Sequence, residues 1–531
     1  MNFTKKIREI LIVVSVLFCF QNQTEAQTSM VIDINPGTNS SSLDHLSNFN
    51  GFLFFSAYSP TYGTEIWKSD GTESGTTIIE DIAPGTASFS SNFFTSSGNF
   101  LYFTPFNSTI GSELWKSDGT LGGTNLVKDI NPGNNLGSNI SYSTDVNGTL
   151  YFSANNGTNG NELWKSDGTD SGTVMVKDIN PTGSSDPAWL VNVNGTLYFA
   201  ANNGTNGYEL WKSDGTSNGT VIVKDIVNGS NSSVPSDLTN VNGTLFFSAY
   251  PTNNGVLGLY KTDGTSAGTI LLKTNIGNCE NFTAVNNNLY FTANGNGTNG
   301  YELWKSDGTP VGSTMLKDIN PGTAPSNSRN LTASNGVLFF MADDGVNGDE
   351  LWKSDGTQSG TVMVKDIYAG ATSSFPDNIV NLNGKVYFSA DDGIHGIELW
   401  ESDGTANGTI LVQDIYPGVN RSWPDRLVVV NNTLFFRADD GTHGRELWKT
   451  QINTGVFSQE NKPDLVYPNP ASTQITLTSE INKQYRIFNI LGESLDYFIA
   501  TETQTKVDIS NYPAGIYFIK SDNNTTSFIK K

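Results

Sequence analysis

The chain has 531 residues, a formal net charge of −22 at pH 7 and only two cysteines. Such an excess of carboxylates would repel phosphates, which argues against nucleic acid as a partner. Gly, Asn, Ser and Thr separate short runs of Val, Ile, Leu and aromatic residues. This pattern disfavours helices and predicts an all-β protein.

The N-terminus has the pattern of a secretory signal peptide. Lys5, Lys6 and Arg8 precede an apolar segment over residues 10–20, and a cleavage site before Gln27 places the signal at residues 1–26. The apolar segment is much shorter than the roughly 20 residues that span a bilayer. Since no later stretch approaches that length, we expect no transmembrane anchor.

The cysteines predict no disulfide. Cys19 would leave with the signal peptide, so Cys279 remains as a lone thiol in the mature chain. It has no nucleophile signature around it, and we expect it to be inert.

One octapeptide, ELWKSDGT, occurs five times, and a looser form of it recurs nine times at intervals of 44 to 49 residues. The aromatic residue of each copy is Trp67, Trp115, Trp164, Trp211, Tyr260, Trp304, Trp352, Trp400 or Trp448. Repeats of this length are typical of propeller blades with four strands each. We therefore predict a β-propeller over residues 27–450.

Each part of the repeat has a structural explanation. An Asn-Gly turn such as Asn383-Gly384 joins two apolar runs, as in a hairpin. The tryptophan is expected to be buried between blades. In the SDGT turn, Asp355 can accept backbone N–H groups, and Gly356 can adopt a backbone conformation that a side chain would forbid. We therefore interpret the octapeptide as scaffold.

The repeated string resembles the ELWxxDGT repeat family of secreted bacterial proteins, and the resemblance covers residues 30–449. It implies a secreted repeat protein. Since that family has no well-defined activity, the resemblance implies little about chemistry.

The two ends of the repeat region predict how the propeller closes. The segment MVIDINPG at Met30 matches the last strand of a repeat, as at Val362, and the final repeat ends at ELWKT without its fourth strand. The N-terminal strand would complete the last blade, giving one ring of nine blades. Two smaller rings are the alternative.

A different module follows. Residues 451–464 form a predicted linker, and alternating apolar runs over residues 465–531 predict a small β-sandwich. The strings YPNP at Tyr467 and PAGIYF at Pro513 resemble the type A sorting domain of the bacterial type IX secretion system. The resemblance implies export by that machinery to the surface or medium of a Gram-negative bacterium of the Bacteroidetes type. An accessory binding domain is the alternative.

Two groups of residues raise the question of metal or catalytic chemistry. His395 and His443 stand at turn positions that other repeats fill with Asn, and a turn role is favoured over a catalytic or metal pair. Paired aspartates in the same turns could bind Ca²⁺, the one cofactor that the sequence leaves open. These aspartates are Asp343, Asp344, Asp391, Asp392, Asp439 and Asp440. Asn replaces them in other repeats, so turn formation explains both versions.

Three aromatic residues lie outside the repeated pattern. Trp189, Phe375 and Trp423 stand beside Pro and Ser in the loops between repeats, where exposed rings could stack on sugars. Burial against the adjacent blade is the alternative.

We therefore expect a secreted or cell-surface scaffold that binds extracellular glycan or protein and acts in adhesion. A glycan-active hydrolase or lyase is the second hypothesis. Charged residues or tyrosines clustered in one or two blades would favour the enzyme, whereas equivalent blades would favour binding.

Overall fold

The computed structural model describes residues 26–82, 85–86, 93–107, 109–133, 135–253, 255–452, 466–478, 483–490, 493–521 and 525–531. The predicted signal peptide up to residue 25, and residues 453–464 of the predicted linker, lie outside these ranges. The chain divides into two compact units, one within Glu25–Ile452 and one within Asn453–Lys531.

The regular structure is almost entirely antiparallel strand, so the predicted all-β class is confirmed. In the described ranges the one helical element is a short 3-10 turn at Gly295–Gly297. No helix within those ranges has the length and apolar character needed to cross a membrane.

Within Glu25–Ile452, the described strands form nine four-stranded antiparallel sheets. We number the sheets 1 to 9 and label the strands of each A to D across the sheet. Sheet 1 contains Asp44–Phe49, Phe52–Ser59, Gly63–Ser69 and Thr77–Glu80; sheet 2 contains Phe94–Ser97, Phe100–Phe103, Leu114–Ser117 and Thr124–Lys128; sheet 3 contains Ser141–Val146, Thr149–Asn155, Asn161–Ser166 and Val174–Lys177. Sheet 4 contains Ala188–Val193, Thr196–Asn202, Tyr208–Ser213 and Val221–Lys224; sheet 5 contains Ser236–Val241, Thr244–Ala249, Gly258–Thr262 and Ile270–Lys273; sheet 6 contains Glu280–Val285, Asn288–Ala293, Glu302–Ser306 and Thr314–Lys317. Sheet 7 contains Arg329–Ser334, Val337–Asp343, Asp349–Ser354 and Val362–Lys365; sheet 8 contains Asp377–Leu382, Lys385–Asp391, Ile397–Ser402 and Ile410–Gln413; sheet 9 contains Asp425–Val430, Thr433–Asp439, Arg445–Ile452 and, as strand D, Ala26–Ile32. A two-stranded ribbon, Phe106–Asn107 with Gly111–Ser112, extends from sheet 2.

Strand D of sheet 9 comes from the N-terminal end of the repeat region. It pairs antiparallel with strand C, with Met30 opposite Trp448. The hydroxyls of Thr28 and Thr450 lie 2.8 Å apart, and the backbone N–H of Ile34 donates to Glu446 Oε2 at 3.1 Å.

The core lies between neighbouring sheets, because strands B and C are apolar on both faces. Phe340 of sheet 7 packs toward Tyr290 of sheet 6, whereas Phe339 packs toward Phe388 of sheet 8. Alternate side chains of one strand therefore fill two different interfaces.

Sheets 9 and 1 contact each other as consecutive sheets do. Phe55 and Trp67 of sheet 1 share a buried cluster with Phe435 of sheet 9. Lys449 Nζ donates to the carbonyl of Gly71 at 2.7 Å, the same bond that Lys305 makes to the next sheet. Each strand A contacts the strands A of two neighbouring sheets, and strand A of sheet 9 contacts that of sheet 1.

The second unit, within Asn453–Lys531, has its own core. Its described strands form a three-stranded and a four-stranded sheet, with Ile475, Tyr485, Ile487 and Phe528 fully buried between them. These strands are Val466–Tyr467, Gln474–Thr478, Gln484–Asn489, Ser494–Ile499, Gln504–Asp508, Gly515–Lys520 and Thr525–Lys530.

Candidate functional site

The glutamate of the octapeptide has a structural role in the first unit. Glu350 is 0% exposed; its carboxylate accepts the N–H of Ile367 at 2.8 Å and both the N–H and the hydroxyl of Ser374 at 3.1 and 2.7 Å. Burial raises the pKa of Glu350 to about 7, against the hydrogen bonds, which favour the ionised form. The glutamate thus fixes the loop that leads from its own sheet to the next.

The SDGT turn is likewise explained by local contacts. Asp355 Oδ1 accepts the N–H and the hydroxyl of Thr357 at 2.8 and 2.7 Å, and these hydrogen bonds hold the pKa of Asp355 below its usual range. Gly356 has a φ of +87°, and a Cβ there would overlap Tyr290 Oη of the preceding sheet.

The aromatic residues of the motif lie between sheets. Trp115 is partly buried, and each of the others is at most 7% exposed: Trp67, Trp164, Trp211, Tyr260, Trp304, Trp352, Trp400 and Trp448. The glutamate and the aromatic residue of the octapeptide are therefore not presented to solvent as ligand groups.

Sheet 5 lacks the glutamate, and its partner serine is lost with it. Gly258 stands at the glutamate position, where a side chain would lie 2.8 Å from the carbonyl of Lys273. In the shorter loop that follows, Ile276 occupies the serine position, and it is buried together with Cys279. Replacing both partners with apolar groups avoids an unsatisfied buried carboxylate. Burial also raises the pKa of the Cys279 thiol, which disfavours the reactive thiolate.

The paired aspartates form turns. Asp392 Oδ1 accepts the N–H groups of Ile394 and His395, and its Oδ2 lies 2.7 Å from His395 Nδ1. Asp440 and His443 repeat this arrangement, and the bond to Asp392 raises the pKa of His395. Among the described residues, no group of three or more His, Cys, Asp or Glu side chains is placed to hold a metal ion.

The turns between strands B and C lie at the same end of the sheets as the loops from strand D to the next strand A. Arg421, in the loop before sheet 9, contacts Asp391 at the end of strand B of sheet 8, at 3.3 Å. We call this end of the sheets the loop face.

The three aromatic residues outside the repeated pattern are all exposed near the start of a strand A on the loop face. Trp189 is 43% exposed, Phe375 51% and Trp423 48%. Phe375 and Trp423 share one repeat position, two residues before strand A, in neighbouring sheets 8 and 9. Trp189 instead is the second residue of strand A of sheet 4, so the structure does not place it beside the other two.

All three aromatic residues have left-handed backbone conformations, with φ of +57° for Trp189, +50° for Phe375 and +51° for Trp423. This region is unfavourable for bulky residues. Five other sheets have a smaller residue with positive φ at the position of Phe375 and Trp423, namely Ser42, Asn139, Asp186, Val234 and Asn327. The fold therefore does not require an aromatic residue there.

An arginine cluster in sheet 9 was not anticipated from the sequence. Arg437 Nε and Nη2 donate to the two oxygens of Asp425 at 2.8 and 2.6 Å, and Arg445 Nη2 lies 2.9 Å from the same carboxylate. Arg445 also donates to the carbonyl of Trp423 at 2.7 Å. These bonds fix the backbone that presents Trp423.

Two further arginines of the cluster are half exposed. Arg421 lies over the ring of Trp423, with its guanidinium carbon 5.3 Å from the ring centroid. Arg426 contacts Asp44 of sheet 1 at 3.2 Å. Their side chains are 50% and 51% exposed. The signal for this cluster was present in the sequence, because four of the seven arginines lie within residues 421–445.

The C-terminal unit has a recognisable relationship to known proteins. Residues 465–531 match the family model described as "Secretion system C-terminal sorting domain". This segment is a type IX sorting domain. The sorting domain implies type IX secretion machinery as a partner, and a secreted or cell-surface protein of Bacteroidetes-type bacteria. The sequence-based identification of this segment is thus confirmed.

Other comparisons give distant likenesses. A puromycin hydrolase structure is 12% identical over 78% of this chain and 61% of its own, with a TM-score of 0.37. PorZ, described as an essential bacterial surface component of the type-IX secretion system of Porphyromonas gingivalis, is 12% identical over 92% of this chain and 82% of its own, with a TM-score of 0.25. This chain spans 54% to 61% of the length of two puromycin hydrolase structures and a prolyl endopeptidase structure. A search of the curated proteins gave no match.

Proposed function

We propose that the nine sheets form one closed nine-bladed propeller of ELWxxDGT repeats. The pairing of Ala26–Ile32 with strand C of sheet 9 supports closure. So does the contact between strands A of sheets 9 and 1, which matches the contact between every other consecutive pair. Two separate rings would require a break in this series of contacts.

The propeller is a secreted or cell-surface scaffold that binds extracellular polysaccharide on its loop face. The observation that carries this proposal is the exposure of Phe375 and Trp423 at a left-handed position that other sheets fill with smaller residues. The fold imposes the left-handed conformation at this position but does not need a bulky aromatic residue there, and such backbone strain is a reason to infer a function. Exposed aromatic rings offer flat apolar surface on which the C–H faces of a sugar can pack.

Retention of the mature chain, residues 27–531, on immobilised polysaccharides tests this proposal. Phe375→Asn and Trp423→Asn replace the rings with a residue that tolerates positive φ, and should weaken retention roughly tenfold each. Val234→Asn is the matched control, because Val234 occupies the same repeat position in sheet 5 and is 45% exposed. If no polysaccharide is retained, or if all three variants behave alike, the proposal is wrong.

The arginine and aspartate cluster is specific to sheet 9, and it is the observation that favours the second candidate, a glycan-active enzyme. Its carboxylates Asp44, Asp391 and Asp425 each contact a guanidinium. Incubation with a retained polysaccharide separates the two candidates. Binding leaves the chain length of the polymer unchanged, whereas a hydrolase or lyase shortens it and releases new sugar ends.

A further inference from the structure

The arginines of sheet 9 stand out against the charge of the whole chain. The chain has 52 acidic and 30 basic residues, and seven of the basic residues are arginines. In the cluster, four guanidiniums contact three carboxylates, those of Asp44, Asp391 and Asp425. The cluster therefore has one guanidinium more than the carboxylates that its arginines contact, on a loop face that also carries Asp33, Asp392, Asp414, Asp439 and Asp440.

The repeat does not explain Arg421. Four sheets have a serine at this position, and its hydroxyl accepts a backbone N–H of strand C, as Ser373 does from Asp349 at 2.9 Å. The equivalent serines are Ser40, Ser184, Ser232 and Ser373. Arg421 cannot accept such a bond, because a guanidinium has only donors. Gly137 and Pro325 also stand at this position in other sheets, so the fold does not require the serine, and Arg421 adds a guanidinium to this loop.

Arg426 departs from the repeat in a similar way. It is the second residue of strand A and has a φ of +55°, at a position where three sheets have Asn281, Asn330 and Asn378 and four others have His45, Tyr142, Trp189 and Asp237. Asn suits a left-handed conformation better than a long side chain does. The fold therefore does not require an arginine at this position.

Both guanidiniums are available to an incoming anion. Each makes one ion pair within the described residues, at 3.3 Å for Arg421 and 3.2 Å for Arg426, and each side chain is half exposed. The pair between Arg426 and Asp44 is exposed on both sides, and such pairs are weak, whereas the side chain of Asp391, the partner of Arg421, is only 10% exposed. A guanidinium has five N–H donors, so most of them remain for a carboxylate or sulfate group, which arginine can bind with two parallel hydrogen bonds.

We propose that Arg421 and Arg426 form an anion site beside Trp423, and that the ligand of the loop face is an acidic polysaccharide. Sugar rings pack on Trp423 and Phe375, while carboxylate or sulfate groups of the polymer pair with the guanidiniums of Arg421, which lies toward sheet 8, and Arg426, which lies toward sheet 1. Arg437 and Arg445 position the site through Asp425 and the carbonyl of Trp423. This inference rests on the proposed polysaccharide binding and names its chemical class.

The test compares two polymer pairs that differ in charge on a shared backbone. Polygalacturonate is compared with its full methyl ester, and dextran sulfate with dextran, each against the mature chain. We expect the charged member of one pair to bind more tightly, and which pair responds distinguishes a carboxylate from a sulfate ligand. Arg421→Ser and Arg426→Asn introduce the residues that other sheets have at these positions, so the fold should tolerate them. Each substitution should weaken binding of the charged polymer about tenfold, as expected for the loss of a charge-assisted hydrogen bond.

Arg329→Ser is the matched control, because Arg329 starts strand A of sheet 7 and is also half exposed at 49%. The Arg329→Ser variant should bind every polymer with the affinity of the parent chain. The anion site is wrong if the charged and neutral members of each pair bind equally. It is also wrong if the double variant Arg421→Ser, Arg426→Asn keeps the melting temperature of the parent chain and still binds the charged polymer as tightly. Either result leaves polysaccharide binding intact. Retention of none of a broader panel of polysaccharides overturns the proposed function and the anion site together.

Discussion

The repeated glycines show how single residues are fixed by their surroundings. Gly356 and Gly229 have nearly the same backbone conformation, with φ of +87° and +88°. A Cβ on Gly356 would meet Tyr290 Oη and lie 2.9 Å from Lys305 Nζ, whereas a Cβ on Gly229 would have no atom within 4 Å. A side chain at Gly229 would therefore cause backbone strain alone, whereas one at Gly356 would cause both backbone strain and steric overlap.

Replacing each glycine with alanine should measure these two effects. Gly229→Ala should lower the free energy of unfolding by about 1–2 kcal/mol, the strain of a left-handed alanine. Gly356→Ala should lower the free energy of unfolding by that amount and by roughly 1–3 kcal/mol more, because Tyr290 and Lys305 must move. Urea denaturation gives both values. Equal losses would mean that the sheets adjust freely around the SDGT turn.

The buried glutamates predict how stability depends on pH. Burial raises the pKa of Glu350 from its ordinary 4.5 to about 7, and four equivalent glutamates, Glu113, Glu302, Glu398 and Glu446, behave alike. Between these pH values the folded state binds more protons than the unfolded state. The free energy of unfolding should therefore fall as pH rises from about 4.5 to about 7.

Urea denaturation at pH 5 and pH 7.5 checks this, with greater stability expected at pH 5. Within this window, each such glutamate is protonated in the folded state and ionised in the unfolded state. It lowers the free energy of unfolding by up to about 1.4 kcal/mol for each pH unit. Glu350→Gln removes one titrating carboxyl and should reduce the pH dependence. Stability that instead rises with pH over this range would show that the N–H donors outweigh burial.

At the scale of strands and sheets, the sequence predicted the all-β class because the strand pattern and the Asn-Gly turns are local signals. It did not predict the arginine cluster. Arg421, Arg426, Arg437 and Arg445 occupy four different positions of the repeat, and only the pairing of strands A to C brings them together. The sequence also did not settle the exposure of Phe375 and Trp423, because burial against the adjacent blade was the alternative for an aromatic residue.

The N-terminal strand gives a prediction at this scale. Deleting residues 29–35 removes most of strand D of sheet 9 and, just beyond the strand, the N–H of Ile34 that donates to the buried Glu446. Strand C would be left with an unpaired edge and a buried carboxylate would lose a donor. We expect the melting temperature to fall by many degrees.

Deleting the same number of residues from 456–462 in the predicted linker is the control, and it should leave the melting temperature unchanged. A truncated chain that melts like the parent would rule out the closed nine-bladed ring.

For the whole molecule, the sorting domain predicts that export and binding are separable. Deleting residues 465–531 removes the matched sorting domain, and each unit has its own buried core. In the native bacterium the truncated protein should accumulate in the periplasm. Purified, it should melt and bind polysaccharide as the full chain does. Normal secretion, or lost binding in a folded truncated chain, would contradict this.

Hydrogen exchange in the presence of polysaccharide tests the central claim, that a repetitive scaffold presents one asymmetric binding face. Amide exchange is measured along the mature chain with and without the polymer that it retains best. We predict slower exchange at residues 33–45, 391–396, 414–426 and 439–445, which form the loop face at sheets 8, 9 and 1. Protection at the opposite turns, or spread evenly over all nine sheets, would contradict the account.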